Sequence, residues 1–121
     1  MWNDNKDEIL EIIDNVDSSN AVFPTTCPVC NKKDGHVYYH KHDELHSGVW
    51  VWCGSCQTFS HMSGIAPDWW KNPDFINDGQ LTEIPDKLDE NKEKLDRWIN
   101  LLIQDNEKAK NLPKQGNTEV D

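Results

Sequence analysis

The sequence predicts a small α+β fold, in which a β-hairpin and a third strand lie between an N-terminal and a C-terminal amphipathic helix. Three observations lead to this prediction. β-branched and aromatic residues dominate residues 35–40 and 48–53, and residues 57–62 form a plausible third strand. Apolar residues recur at helical spacing near both ends of the chain. Two Cys-x-x-Cys pairs bracket the predicted hairpin, and a chain of 121 residues can hold one core of this kind and little more.

The predicted N-terminal helix occupies residues 5–17. Its apolar side chains follow one another at spacings of three and four, which places them on one face: Ile9, Ile12, Ile13 and Val16. Three short polar side chains precede this stripe and are candidate helix caps: Asn3, Asp4 and Asn5. The stripe requires an apolar surface, which the predicted sheet can supply.

The predicted C-terminal helix occupies residues 85–104, with Pro85 in its first turn. Its apolar positions are Leu88, Leu95, Trp98, Ile99 and Leu102. A Trp-rich connection, residues 64–84, precedes the helix and is divided into turns by proline and glycine. Residues 107–121 have almost no apolar content and are predicted to form a flexible tail, so the predicted single domain is residues 1–106.

The four cysteines form two Cys-x-x-Cys pairs, with 22 residues between Cys30 and Cys53. Each pair can hold one edge of a metal ion, and the four thiolates can complete a tetrahedron around one Zn²⁺: Cys27, Cys30, Cys53 and Cys56. Because four sulfurs fill the coordination shell, the zinc is predicted to be structural. Iron accepts the same four sulfurs, and the spacing does not separate the two metals. Two disulfides are a further alternative, which a reducing cytosol disfavours.

These cysteines, with a hairpin after the first pair and a strand after the second, resemble the zinc-ribbon superfamily over residues 24–63. The resemblance implies a structural zinc and a ribbon fold, and it is not specific for function. Glycine often follows the second cysteine of each pair in that superfamily, whereas this chain has Asn31 and Gln57. Asparagine adopts the left-handed backbone readily, so the departure at Gln57 is the one that leaves the geometry of its turn open.

A longer stretch resembles a group of small uncharacterised bacterial zinc-ribbon proteins, some of which are associated with toxin-immunity loci. It consists of GVWVWCGSCQTFSH at residues 48–61 and PDWWKN at residues 67–72. The resemblance implies an immunity or antitoxin role. The start of the sequence lacks the basic and apolar regions of a secretory signal, and no apolar run approaches membrane-spanning length. We therefore expect a cytoplasmic protein that does not bind membranes.

The charge is negative and unevenly distributed. The chain has 12 Lys and Arg against 22 Asp and Glu, a net charge of -10, and residues 21–75 contribute only -1 of it. This balance disfavours partners that bind by phosphate neutralisation and favours a basic protein. The alternative is a nucleic-acid-binding ribbon that uses a few cations and aromatic rings of the central segment: Lys32, Lys33, Lys41, Tyr38, Tyr39 and Trp50.

A thin sheet cannot bury both of its faces alone, and alternation places Trp50 and Trp52 on one face. The two helices and the Trp69-Trp70 segment are expected to cover much of the sheet. Any aromatic side chain left exposed would be a partner anchor. The candidate partner surface consists of Tyr38, Trp50, Trp52 and Trp69, with Asp43 and Glu44 as its acidic contribution.

The sequence contains no recognisable catalytic constellation. A Ser-His-Asp set, a glycine-rich phosphate loop and a nucleophile elbow are all absent from it. His40 and His42 lie near the predicted hairpin tip and are expected to be solvent-exposed, and His61 is expected to pack beside the tryptophans. We therefore predict a non-enzymatic, zinc-binding protein-interaction module.

Overall fold

The computed structural model describes residues 2–4, 8–16, 22–77, 79 and 81–111, with side chains as far as residue 109. Within these residues the chain forms a four-stranded sheet and three helices. The strands are β1 (Asn3–Asp4), β2 (Gly35–Asp43), β3 (His46–Cys53) and β4 (Thr58–Gly64), and the helices are α1 (Glu11–Asp14), α2 (Asp86–Glu90) and α3 (Lys92–Asn111). The small α+β architecture predicted from the sequence is confirmed.

The sheet has the order β1-β4-β3-β2 and is built around the predicted hairpin. β2 and β3 pair antiparallel from Gly35 opposite Cys53 to Asp43 opposite His46, which leaves only two residues in the turn. The hairpin is therefore longer and its turn tighter than the sequence indicated. β4 pairs antiparallel with β3 and completes the predicted three strands.

The N-terminus differs from the prediction in one respect. Asn3 and Asp4 were candidate helix caps, but they form β1, which pairs parallel with Thr58 and Phe59 at the edge of β4. The regular helix α1 is only four residues long and has no side-chain cap. Its apolar stripe is nevertheless as predicted, since Ile9, Ile12 and Val16 are buried and Ile13 packs beside them. The remaining predicted helical residues, 5–7 and 17, lie outside the described residues.

The predicted C-terminal helix is divided in two at Asn91. The N–H group of Asn91 donates to the Leu88 carbonyl and closes α2, while the Asn91 carbonyl accepts from the N–H group of Leu95 in α3. The chain therefore forms two helices, separated by Asn91, where one was predicted. α3 continues to Asn111, so residues 107–111 belong to the helix and not to the predicted tail, and residues 112–121 lie outside the described part of the chain.

Both faces of the sheet are covered, as the sequence required. Ile12 of α1 approaches one face at Gly35, where an added Cβ would lie 2.8 Å from the Ile12 Cδ1 atom. On the other face, His36 and Trp52 bond to side chains of α3 and α2. Trp70 packs at the β2 edge against Tyr38 and Tyr39. The resulting core is continuous and extends to Leu95, Ile99 and Ile103 of α3.

Among the described residues, no helix combines the length and the apolar character that a membrane span requires.

Candidate metal centre

Two short turns with the same backbone pattern bring the four cysteines together. In the first turn the N–H group of Asn31 donates to the Cys27 carbonyl, at 2.9 Å. In the second the N–H group of Gln57 donates to the Cys53 carbonyl, also at 2.9 Å. Both turns lie at the end of the sheet where Gly35 of β2 pairs with Cys53 of β3, so the hairpin fixes their separation. We call this end of the sheet the cysteine end.

The residue after each second cysteine has a left-handed backbone. Asn31 has φ of 65° and Gln57 has φ of 58°. The N–H group of each left-handed residue closes its turn by donating to the carbonyl of the first cysteine, and the left-handed backbone then turns the chain out of the knuckle. The position that glycine often occupies in zinc ribbons is therefore used here by Asn and Gln, and Gln57 carries the greater steric cost. The uncertainty that the sequence left at Gln57 is resolved, because its turn matches the first.

The four sulfur atoms form a compact cluster. All lie within 4.8 Å of one another, with Cys27 Sγ 3.8 Å from Cys56 Sγ and Cys30 Sγ 3.7 Å from Cys53 Sγ. Metal–thiolate bonds of about 2.3 Å in a tetrahedron place sulfurs about 3.8 Å apart, so the cluster fits one ion. The cysteines are free, and these separations far exceed a disulfide bond of about 2.0 Å, so the disulfide alternative is wrong.

Burial and hydrogen bonding affect the four thiols differently. Burial raises the pKa of Cys27 and Cys53, although backbone N–H groups of their own turns donate to both sulfurs and oppose the rise. Burial also acts to raise the pKa of Cys56, but hydrogen bonds from the Thr58 hydroxyl and N–H group, with those of Cys53 and Cys30, lower it to about 7. One thiolate is thus accessible near neutral pH. A bound cation would stabilise the others, since metal binding displaces thiol protons.

A buried polar network joins the second cysteine turn to the helices. The His36 ring lies between two carboxylates, with Nε2 2.6 Å from Asp34 Oδ1 and Nδ1 2.8 Å from Asp96 Oδ1. Asp34 also accepts hydrogen bonds from Ser55, inside the second turn, and from Lys92 of α3. The His36 ring stacks on Trp52, with centroids 5.2 Å apart.

Gly54 packs directly against side chains of this network. A Cβ atom there would lie 2.6 Å from Asp34 Oδ2, 2.7 Å from Asp89 Oδ1 and 2.8 Å from Lys92 Nζ. The glycine is thus explained by the close approach of these side chains and not by a left-handed backbone, which Gln57 supplies instead.

The network raises the pKa of His36 and so favours its charged form. Burial alone would lower the pKa of His36, but the hydrogen bonds and charges of Asp96 and Asp34 raise it. Burial would raise the pKa of Asp34, yet His36, Ser55 and Lys92 lower it. Burial raises the pKa of Asp96 against the opposing effect of His36.

Sequence reasoning missed this arrangement. The one local signal was that Asp34 and His36 are two residues apart at the start of a strand, which places them on one face.

The residues proposed as a partner surface separate into two groups. Tyr38, Trp50 and Trp52 are buried in the core, so they offer no ring to a partner. Trp69 is half-buried beside Trp70. Asp43 and Glu44 are exposed at the hairpin turn, with 60% and 87% of their side-chain areas accessible. The anchor role predicted for the three buried aromatics is therefore not available in this fold.

The histidines near the hairpin also differ from one another. His42 is exposed, as expected, but His40 is buried with its Nδ1 atom 2.7 Å from the Tyr38 hydroxyl. The expectation of an exposed His40 is wrong, because the strand extends farther than predicted and places His40 on the face covered by the aromatic core. His61 stacks on Trp50 at 4.4 Å, which confirms its place beside the tryptophans.

The fold and the cluster together define a small α+β protein with a four-cysteine site that could bind one metal ion. No protein-family model matches the chain, and neither curated proteins nor solved structures match it.

Proposed function

We propose that this chain is a zinc-ribbon protein in which one Zn²⁺ has a structural role and the outer surface binds a basic protein partner, as an immunity or inhibitor protein binds a toxin. The single observation that carries the metal assignment is the cluster of four thiols within 4.8 Å. Four thiolates fill the shell that zinc prefers in structural sites and leave no position for a substrate. The proposed role is therefore non-catalytic.

Charge supports the protein partner over nucleic acid. The net charge of -10 gives a potential that attracts a basic protein and repels a phosphate backbone. The nucleic-acid alternative needs ring faces for base stacking, but Tyr38, Tyr39 and Trp50 are each at most 5% exposed. Because these rings are buried, the nucleic-acid alternative retains only its lysines, of which Lys32 and Lys33 are exposed and Lys41 is half-buried.

Metal analysis of protein purified under reducing conditions tests the first half of the proposal. We expect one zinc per chain, with the four thiols protected from titration until the metal is removed. Cys53→Ser should lose the metal, whereas His42→Gln and His46→Gln should retain it, because both histidines are exposed at the opposite end of the sheet. Iron at full occupancy would replace zinc in the proposal, and freely reactive thiols in metal-loaded protein would refute the site.

Affinity purification from the source cell, followed by binding measurements with the purified partner, tests the second half. We expect a basic protein whose association rate falls when salt is raised and when Asp43→Asn and Glu44→Gln are combined. Glu93→Gln, at an exposed position of α3, is the matched control. Micromolar or tighter binding to duplex DNA or single-stranded RNA, with a steep salt dependence, would favour the nucleic-acid alternative instead.

A further inference from the structure

An open cleft lies at the hairpin turn, at the opposite end of the sheet from the cysteines. It is bounded by the turn between β2 and β3, the last residues of β4 and residues 81–83. Its volume is about 690 Å³, within the range of pockets that bind ligands. We call it the tip cleft. None of its lining residues is a cysteine ligand, so it is separate from the metal centre.

One side of the tip cleft is lined by the exposed His61 ring, which is supported by the buried Trp50 side chain. The Trp50 ring lies against Gly48, where an added Cβ would be 2.8 Å from two ring carbons. His61 stacks on the same ring at 4.4 Å with an angle of 15° between the planes. The indole N–H group donates to the Thr82 carbonyl at 2.7 Å, which ties residues 81–83 to the sheet. A ligand would therefore meet a preformed surface, which lowers the entropic cost of binding.

Two large apolar side chains project from the walls into solvent. Leu45 at the hairpin turn is 66% exposed and Ile65 after β4 is 63% exposed, and both line the tip cleft. They are the most exposed of the large apolar side chains in the described residues. The Asp43 carboxylate accepts the N–H group of Leu45 at 2.8 Å and fixes the turn that presents it. Binding of a partner that covers these apolar side chains is favourable, because it removes their surface from water.

One carboxylate residue, Glu83, lines the tip cleft together with His42, His46 and His61, and two more carboxylates lie beside it in the hairpin turn. Asp43 and Glu44 adjoin Leu45 on the hairpin side, and Glu83 is exposed on the opposite wall. The Lys41 ammonium lies 3.8 Å from the Glu44 carboxylate, and this pair contributes little because the Glu44 side chain is 87% exposed. A ligand that places cationic groups next to apolar ones matches this distribution. A second copy of the chain does not match it, because two molecules of net charge -10 repel.

We infer that the tip cleft binds a segment of a partner protein in which apolar side chains alternate with lysine or arginine. The apolar side chains cover Leu45 and Ile65 beside the exposed His61 ring, and the cations face Glu44 and Glu83. This inference deepens the proposed function and rests on its claim of a basic protein partner. It moves the anchor from the buried aromatics to exposed aliphatic side chains.

A fluorescein-labelled Leu-Lys-Leu-Lys-Leu-Lys peptide, capped at both ends, is a defined probe of this chemistry. Titration of zinc-loaded protein followed by fluorescence anisotropy gives the affinity, and amide NMR shifts locate the site. We expect saturable binding with shifts at residues 42–50, 61–65 and 81–83. Ser-Lys and Leu-Glu peptides of the same length should each bind at least about tenfold more weakly, because each lacks one half of the match.

Matched variants separate the tip cleft from the rest of the acidic surface. Leu45→Ser and Ile65→Ser should each weaken binding of the Leu-Lys peptide about fivefold or more. Leu101→Ser should leave it within about twofold, because Leu101 is similarly exposed, at 55%, but lies on α3 outside the tip cleft. Circular dichroism confirms that each variant keeps its fold.

Two results would overturn the inference. One is the absence of saturable Leu-Lys binding, and the other is binding that Leu45→Ser and Ile65→Ser leave unchanged or that Leu101→Ser weakens equally. In the second case the acidic surface would still attract basic proteins, so the proposed function would survive without the tip cleft. Failure of the proposed function itself would appear separately, as tight nucleic-acid binding or as a native partner insensitive to salt.

Discussion

The two ends of the sheet are built on different principles. At the cysteine end, four thiols and a histidine between two carboxylates lie within the fold, and the second cysteine turn is tied to α3 through Asp34 and Lys92. At the hairpin end, Leu45 and Ile65 stand in solvent around an open cleft. Groups that are costly to bury are concentrated where a metal and ion pairs can satisfy them. Groups that gain from being covered are left where a partner can reach them.

We therefore expect the cysteine end to contribute most to the stability of the fold and the hairpin end to contact the partner. Interactions at the cysteine end connect residues far apart in sequence, such as His36 with Asp96 and Trp52 with Asp89. The bonds of the hairpin turn itself are local, since Asp43 accepts from the Leu45 N–H group and bonds to the His46 ring, although Trp50 beside the turn bonds to the Thr82 carbonyl. Local contacts hold a shape but join no separate elements. Variants at the two ends should therefore differ in their effect on the free energy of unfolding.

The largest expected effect is the loss of the metal. Cys53→Ser, or removal of the proposed metal by a chelator, should lower the free energy of unfolding by several kcal/mol or unfold the domain outright, because metal binding and folding form one equilibrium in such sites. Near-UV circular dichroism, to which buried Trp52 contributes, is the measurement. Leu45→Ser at the other end should change stability by less than about 0.5 kcal/mol. An unchanged spectrum and melting temperature after chelation would contradict a structural metal.

The next largest effect is expected from the buried histidine. His36→Gln should lower the free energy of unfolding by about 3 kcal/mol, because it leaves the Asp96 carboxylate buried without its cationic partner. Chemical denaturation of the metal-loaded protein measures the change. His42→Gln is the control, since it lies on the same strand and is exposed, and it should change stability by less than about 0.5 kcal/mol. Equal effects from the two variants would remove the proposed difference between the ends.

The difference in free energy of unfolding between wild type and His36→Gln should depend on pH, and the pKa of His36 sets the sign of that dependence. The folded state raises the pKa of His36 above its ordinary value of 6.5, so its stabilising effect is complete below that pH and is lost as pH rises through the folded-state pKa. The stability difference between wild type and His36→Gln should therefore shrink from pH 6 to pH 9. Denaturation midpoints across that range measure it.

Metal binding by thiolates strengthens with pH in both proteins, so the difference between them isolates the histidine. A difference that stays constant or grows towards alkaline pH would show that His36 is neutral in the folded protein.

The smallest predicted effect concerns the left-handed residue of the second cysteine turn. Gln57→Gly should raise the free energy of unfolding by about 0.5 kcal/mol, because relief of the steric cost at φ of 58° exceeds the added entropy of the unfolded chain. Thermal unfolding of metal-loaded protein checks this. Gln104→Gly, at an exposed position inside α3, should instead lower stability by about 1 kcal/mol. Destabilisation by Gln57→Gly would mean that the Gln57 side chain makes contacts that outweigh the strain.

Local patterns predicted most of the elements but not all of their ends. The alternation around Val49 and Val51 predicted β3 because alternate side chains meet opposite faces of a covered sheet. The stripe at Ile9, Ile12 and Val16 predicted which face of the N-terminal segment is buried, although the regular helix is shorter. The break at Asn91 was not predicted, because Leu88 and Leu95 lie seven residues apart, a spacing that a continuous helix also has.

The candidate metal site was predictable because its information is local. Each Cys-x-x-Cys pair specifies its own turn, and the hairpin between the pairs brings the turns to one end of the sheet. The left-handed backbone at Asn31 follows from the same turn. The His36 network was not predictable in full, since it joins residues 60 positions apart in sequence and depends on how α3 packs.

The sequence by itself determined the four candidate metal ligands, the strands of the hairpin and the apolar faces of the terminal segments, since short-range spacing and alternation specify these features. Only the tertiary structure decided which side chains reach the surface. Aromatic residues are common in binding surfaces, yet the helices and the Trp70 segment bury Tyr38, Trp50 and Trp52. Large aliphatic residues are typical of a core, yet Leu45 and Ile65 remain exposed. Burial depends on the distant elements that pack over a residue, and no local pattern contains that information.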